Sequence, residues 1–96
     1  MNGKKENIIH EKSFAFAIRI VKLYKFLVSK KETVLSKQLL RCGTSVGANI
    51  REAINAESRA DFIHKLSTSQ KEISETGYWL DLLYNTEYLK EKNTYP

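Results

Sequence analysis

His10, His64, Cys42 and the serines Ser67, Ser69 and Ser74 are the side chains of this 96-residue sequence that invite a test for bond-making chemistry. None stands in a pattern that such chemistry requires. The two histidines are far apart, and no Cys/His cluster has zinc spacing. Asp61-Phe62-Ile63-His64 sets a carboxylate three residues before an imidazole, as di-iron helical bundles do. Such a centre needs a second copy of the motif and further inward carboxylates, and the neighbouring seam is Phe, Leu, Ser, Ile and Thr. Gly43-Thr44-Ser45-Val46-Gly47 lacks the G-K-[ST] ending of a phosphate loop and falls within a helical pattern. The serines have no base at nucleophile spacing, and Cys42 lies on an apolar seam without an activating neighbour. The expectation is a protein that is not an enzyme, with no catalytic residue, metal or cofactor.

The remaining chemistry is charge. Residues 1 to 48 hold ten Lys/Arg and three acids, a net of +7, whereas residues 49 to 96 net −2, giving +5 for the chain. A basic half raises the expectation of an anionic partner, nucleic acid first. A solvated face tuned for solubility explains the same numbers.

These side chains are positioned by helices. No segment alternates as a strand would, and the one proline is residue 96. A first helix is expected from Ser13, read as its N-cap, to Lys30. Phe16, Ile20, Leu23 and Leu27 share one face, while Lys12, Arg19, Lys22 and Lys30 fall in the polar sector around Phe26. The apolar arc, wider than the roughly 100° of an ordinary surface helix, predicts packing on two sides, the second against a partner subunit. A second helix is expected from Val34 to Ala56, with Leu35, Leu39, Cys42, Val46, Asn49 and Ala53 at 4-3-4-3-4 spacing. Gly43 and Gly47, four apart, let another backbone approach closely. Asn49, in that seam, is expected to fix register.

A third helix of about 26 residues follows Ser58, where Ser58-Arg59-Ala60-Asp61 has the form of a capping box. Phe62, Leu66, Ser69, Ile73, Thr76, Leu80 and Leu83 mark its seam, and Tyr78, Trp79 and Leu82 widen the apolar surface near its end. Glu87 to Lys92 is compatible with the start of a fourth helix. The fold class is all-α: an antiparallel up-and-down bundle of three long helices plus a short or truncated fourth, as one domain over residues 1–96. No apolar run approaches the roughly 20 residues of a membrane span, nothing near Met1 reads as a signal peptide, and one cysteine forms no disulfide framework. A cytoplasmic protein without membrane contact is expected.

Leu39-Leu40-Arg41-Cys42-Gly43-Thr44-Ser45-Val46-Gly47-Ala48-Asn49-Ile50-Arg51-Glu52-Ala53 closely resembles a signature of the bacterial four helix bundle proteins, among them those encoded by intervening sequences in 23S rRNA genes. Ala60-Asp61-Phe62-Ile63-His64-Lys65-Leu66, then Lys71-Glu72, Glu75-Thr76 and Tyr78-Trp79-Leu80, is similar to the same family. The resemblance covers about half of the chain, in order and spacing. It implies an antiparallel four-helix protomer, often assembled as a homopentamer. For a branch that accompanies the reverse transcriptases of diversity-generating retroelements, it also implies nucleic-acid binding through a basic surface. The family's fourth helix normally continues well past the position of Leu89, which this sequence does not match.

Together these readings give two expectations. In the first, an oligomer binds RNA or DNA with Lys12, Arg19, Lys22, Lys30, Lys37, Arg41 and Arg51 neutralising phosphates. In the second, the protein is a self-assembling scaffold or a reverse-transcriptase accessory without nucleic-acid binding of its own. In both, Phe16, Ile20, Leu23, Leu27, Gly43, Gly47, Asn49, Tyr78, Trp79 and Leu82 serve helix or subunit packing.

Overall fold

The computed structural model describes residues 3–90, with the backbone alone at Glu6. Three helices run up, down and up: α1 (Gly3–Ser29), α2 (Leu35–Ile54) and α3 (Arg59–Asn85), with extents of 43 × 21 × 17 Å. A 27-residue helix is about 40 Å long, so α1 and α3 each span the molecule. No strand occurs among the described residues.

α1 starts ten residues before the sequence pattern places it, and Ser13 is not its N-cap. Ser13 is buried mid-helix, its hydroxyl donating to the His10 carbonyl at 3.0 Å. The extra turns escaped notice because they pack little: Ile8 and Ile9 stay exposed, so residues 3–12 carry no apolar period. α1 ends in a Schellman motif. Lys31 adopts the left-handed conformation (φ 68°), with Glu32 N–H donating to the Leu27 carbonyl and Lys31 N–H to Val28.

Glu32 then caps the next helix. Its carboxylate accepts from the backbone N–H groups of Val34, Leu35 and Ser36 at 3.2, 2.9 and 2.7 Å. Ser36 Oγ donates to the Glu32 carbonyl at 2.9 Å. Burial pushes this carboxyl's pKa up, but the bonds from Leu35, Ser36 and Val34 outweigh burial and hold it below the usual value. α3 begins as the sequence predicts, with Asp61 N–H donating to Ser58 Oγ at 3.0 Å.

α2 is the central helix. Gly43 and Gly47 face α1, where an added Cβ at Gly43 would lie 2.8 Å from Ile20 side-chain carbons and one at Gly47 would lie 3.3 Å from the Ser13 carbonyl oxygen. Cys42 and Val46 face α3: Ser69 Oγ donates to the Val46 carbonyl at 3.0 Å, and Thr76 Oγ1 lies 3.3 Å from Cys42 Sγ. Adjacent helical residues point about 100° apart, so α1 and α3 occupy faces of α2 separated by about 100° around its axis. Among the described residues no Cα of α1 lies within 8 Å of one in α3. The diagonal between them is filled at one end, where Leu27, Leu39, Leu83 and Leu89 are buried together with Ile20 and Leu23.

Leu89 reaches that core through a second Schellman turn, with Glu87 left-handed (φ 69°) and Tyr88 N–H donating to the Leu83 carbonyl at 3.0 Å. Residues 87–90 are therefore not helical, and the described residues contain no fourth helix; residues 91 and 92 lie outside them. Two seam expectations also change. Ile73 is 52% exposed, because α3 turns Ser69, Thr76 and Leu83, spaced by sevens, inward and leaves Ile73 off that line. Asn49 is half-buried and bonds locally, Nδ2 to the Ser45 carbonyl at 2.9 Å, and among the described residues its side chain makes no hydrogen bond to another helix.

Candidate nucleic-acid interface

With α1 extended to Gly3, its outer face collects cations along its length. Lys5, Lys12 and Arg19 recur every seven residues, and Lys22 and Lys30 lie beside that row, within a sector of about 100°. All five are exposed. Among the described residues, no carboxylate forms an ion pair with Lys12, Arg19, Lys22, Lys30 or Lys37. Lys30 Nζ instead stands 5.7 Å from the centre of the Phe26 ring, a cation–π contact that keeps its charge available. Lys5 was missed because the periodicity places the helix start at Ser13. The buried face of the same helix, with Ile20, Leu23 and Leu27 and the half-buried Phe16, fixes which way the cations point.

The basic residues of α2 are differently placed. Lys37 is exposed near the start of the helix. Arg41 leans toward α3, where it pairs with Glu72 at 3.5 Å and with Glu75. Trp79 Nε1 donates to the same Glu75 carboxylate at 3.1 Å, and Tyr78 packs edge-on to Trp79 with ring centroids 5.1 Å apart. Arg51 leans toward α1, with Nε and Nη2 lying 3.1 and 3.0 Å from His10 Nε2. The seven cations of the sequence reading thus divide: Arg41 is neutralised on the α3 side, Arg51 is held at the α1 cleft, and the α1 set together with Lys37 faces solvent.

Beneath Arg41, Cys42 Sγ and carboxylate oxygens of Glu72 and Glu75 lie within 4.8 Å of one another. The two acids are the counter-ions of Arg41, and burial pushes the Cys42 thiol pKa up despite the Thr76 hydroxyl beside it. Periodicity alone did not reveal this cluster, since Glu72 and Glu75 are 30 or more residues from Cys42. His64 is exposed on α3, and the Asp61 N–H serves the Ser58 cap.

The packing residues divide as well. Ile20, Leu23, Leu27, Gly43 and Gly47 are used within the protomer. Trp79 and Leu82 are half-buried, whereas Tyr78 is 60% exposed; Ile63 and Ile73 also leave more than half of their surface open on α3. No described helix is long and apolar enough to cross a membrane.

Residues 5–95 match the family described as 23S rRNA-intervening sequence protein. A crystal structure of a protein with unknown function from the S23 ribosomal protein family, from Bacteroides thetaiotaomicron VPI-5482, is 61% identical and superimposes with a TM-score of 0.89. The similarity covers 92% of this chain and 80% of that one. No curated protein matches this chain.

Proposed function

The chain belongs to the 23S rRNA-intervening sequence protein family, and from that premise we propose that it is a non-enzymatic, oligomeric, cytoplasmic helical protein that binds RNA or another nucleic acid electrostatically. The observation that carries this reading is the outer face of α1, where Lys12, Arg19, Lys22 and Lys30 are exposed and lack carboxylate partners among the described residues. A row of exposed lysines and arginines along one helix is an electrostatic footprint suited to a phosphate backbone. Such contacts position the protein and carry no base code, so discrimination among sequences is weak. Assembly is supported by Tyr78, Ile63 and Ile73 of α3, large apolar side chains left more than half exposed that further subunits would cover. A pentamer is the subunit number implied by the family resemblance.

The test is a binding titration against 23S rRNA fragments, unrelated RNA and DNA over a range of salt. Affinity falls steeply with salt, and joint charge reversal of Lys12, Arg19 and Lys22 abolishes it while helicity and assembly mass stay unchanged. The same exposed apolar side chains support a second reading, a scaffold or reverse-transcriptase accessory that binds no nucleic acid alone. Absence of binding by the unmodified protein at physiological salt would favour that reading and retire the first.

A further inference from the structure

A cleft of about 410 Å³ opens between α1 and α2, walled by His10, Phe14, Ala17, Thr44, Gly47 and Arg51. Its floor exists because residue 47 has no side chain: a Cβ there would lie 3.3 Å from the Ser13 carbonyl oxygen. One wall is a flat π-surface. His10 and Phe14, one turn apart, hold their rings within 6° of parallel with centroids 6.4 Å apart, and Phe14 is 54% exposed. The opposite wall is a cation. Arg51 presents its Nε and Nη2 to His10 Nε2, which orients the guanidinium and leaves Nη1 without a hydrogen-bond partner among the described residues. The one acid on the rim, Glu52, is paired with Lys65 of α3 at 3.2 Å, which offsets its charge.

An oriented guanidinium beside an exposed aromatic face is the donor set that receives an unpaired nucleotide: the ring stacks a base and the cation meets its phosphate. A base within a duplex offers no free face, so this chemistry selects single strands. The cleft also connects to the basic row. Phe14, Ile18 and Lys22 form one ridge of α1 at four-residue steps, and Phe14 to Lys22 covers about 12 Å of helix, roughly the rise of two extended nucleotides. We propose that the His10–Phe14–Arg51 cleft is a stacking subsite for one unpaired base of single-stranded RNA, whose backbone continues along the ridge to Lys22. The proposal rests on α1 being a nucleic-acid-binding face and adds that the ligand is single-stranded.

The experiment uses fluorescence anisotropy of the full chain with labelled twelve-nucleotide oligoadenylate and with a twelve-base-pair RNA duplex. Single-base stacking on an aromatic side chain gives about a five-fold or greater loss of oligoadenylate affinity in Phe14→Ala, with duplex affinity and salt slope unchanged. Phe14→Tyr retains the wild-type affinity, and Arg51→Gln lowers the salt slope by about one phosphate contact. Circular dichroism and light scattering of each variant confirm unchanged helicity and mass. Phe14→Ala binding both probes as the wild type does, losing both equally, or changing the assembly mass would overturn the subsite while leaving binding by the α1 cations intact. A wild-type protein that binds neither probe overturns both readings.

Discussion

Gly43 of α2 and Ile20 of α1 approach so closely that a Cβ at position 43 would lie 2.8 Å from both Cγ1 and Cγ2 of the isoleucine. Those carbons sit on a β-branched side chain that is buried and stiff at χ1, so they cannot swing aside. Gly43→Ala therefore destabilises by about 1–3 kcal/mol, despite the gain of about 1 kcal/mol that alanine brings to a helix interior. Gly47→Leu behaves alike, because its first carbon already meets the Ser13 backbone at 3.3 Å. Gly77, with nothing within 4 Å of its added Cβ, is the control: Gly77→Ala gains up to about 1 kcal/mol. Urea unfolding of the three variants measures all of this, and a raised midpoint for Gly43→Ala would contradict the close contact.

Lys31 and Glu87 occupy the left-handed position of the two Schellman turns, at φ 68° and 69°. Glycine takes this conformation without the Cβ clash that an L-side chain suffers there. Lys31→Gly and Glu87→Gly are each expected to stabilise by about 0.5–1 kcal/mol, with no gain from the alanine variants. Thermal melts distinguish the two substitutions at each site.

Glu32 supplies a pH dependence. Its folded pKa lies below its unfolded one, so its stabilisation is present above the unfolded value and is lost as pH falls through the depressed folded value. Glu32→Gln removes the charged acceptor from the start of α2 and costs about 1–2 kcal/mol at neutral pH. Melting temperatures measured from pH 7 downward converge for wild type and variant in acid. Parallel curves over the whole range would show that the carboxylate is not the cap.

Arg41 separates local neutralisation from phosphate contact. Its pairs with Glu72 and Glu75 are partly exposed, so Arg41→Ala alters stability by about 1 kcal/mol or less. If those acids already satisfy its charge, the salt slope of RNA binding stays that of the wild type, whereas Arg19→Ala lowers it by about one contact. A slope lowered equally by both substitutions would place Arg41 in the interface.

Cys42 is fully buried and its thiol pKa is raised, both of which suppress the reactive thiolate. A thiol reagent is expected to modify it only at the rate of unfolding, in step with added urea. Fast modification of the native protein would show that the α2–α3 contact opens readily.

The reading of one α1 face as basic and the other as apolar, the seam of α2, and the Ser58 cap were all legible without coordinates. They depend on helical period and on bonds within four residues, which the order of side chains determines by itself. The early start of α1 was not legible, because its first turns form helix without burying an apolar stripe. Nor was Glu32 as a cap, since its role follows from a turn in which Lys31 takes a conformation that sequence patterns assign to glycine. The candidate site divides along the same line. Exposure of Lys12, Arg19 and Lys22 followed from the amphipathic pattern alone. The capture of Arg41 by Glu72 and Glu75, the setting of Arg51 against His10, the exposure of Ile73 and the burial of Leu89 did not. Periodicity determines which side chains share a face of a helix. Only packing decides how far each helix turns about its own axis, and α1 and α3, seated on faces of α2 about 100° apart around its axis, thereby determine which cation finds an acid, which finds an imidazole and which faces solvent.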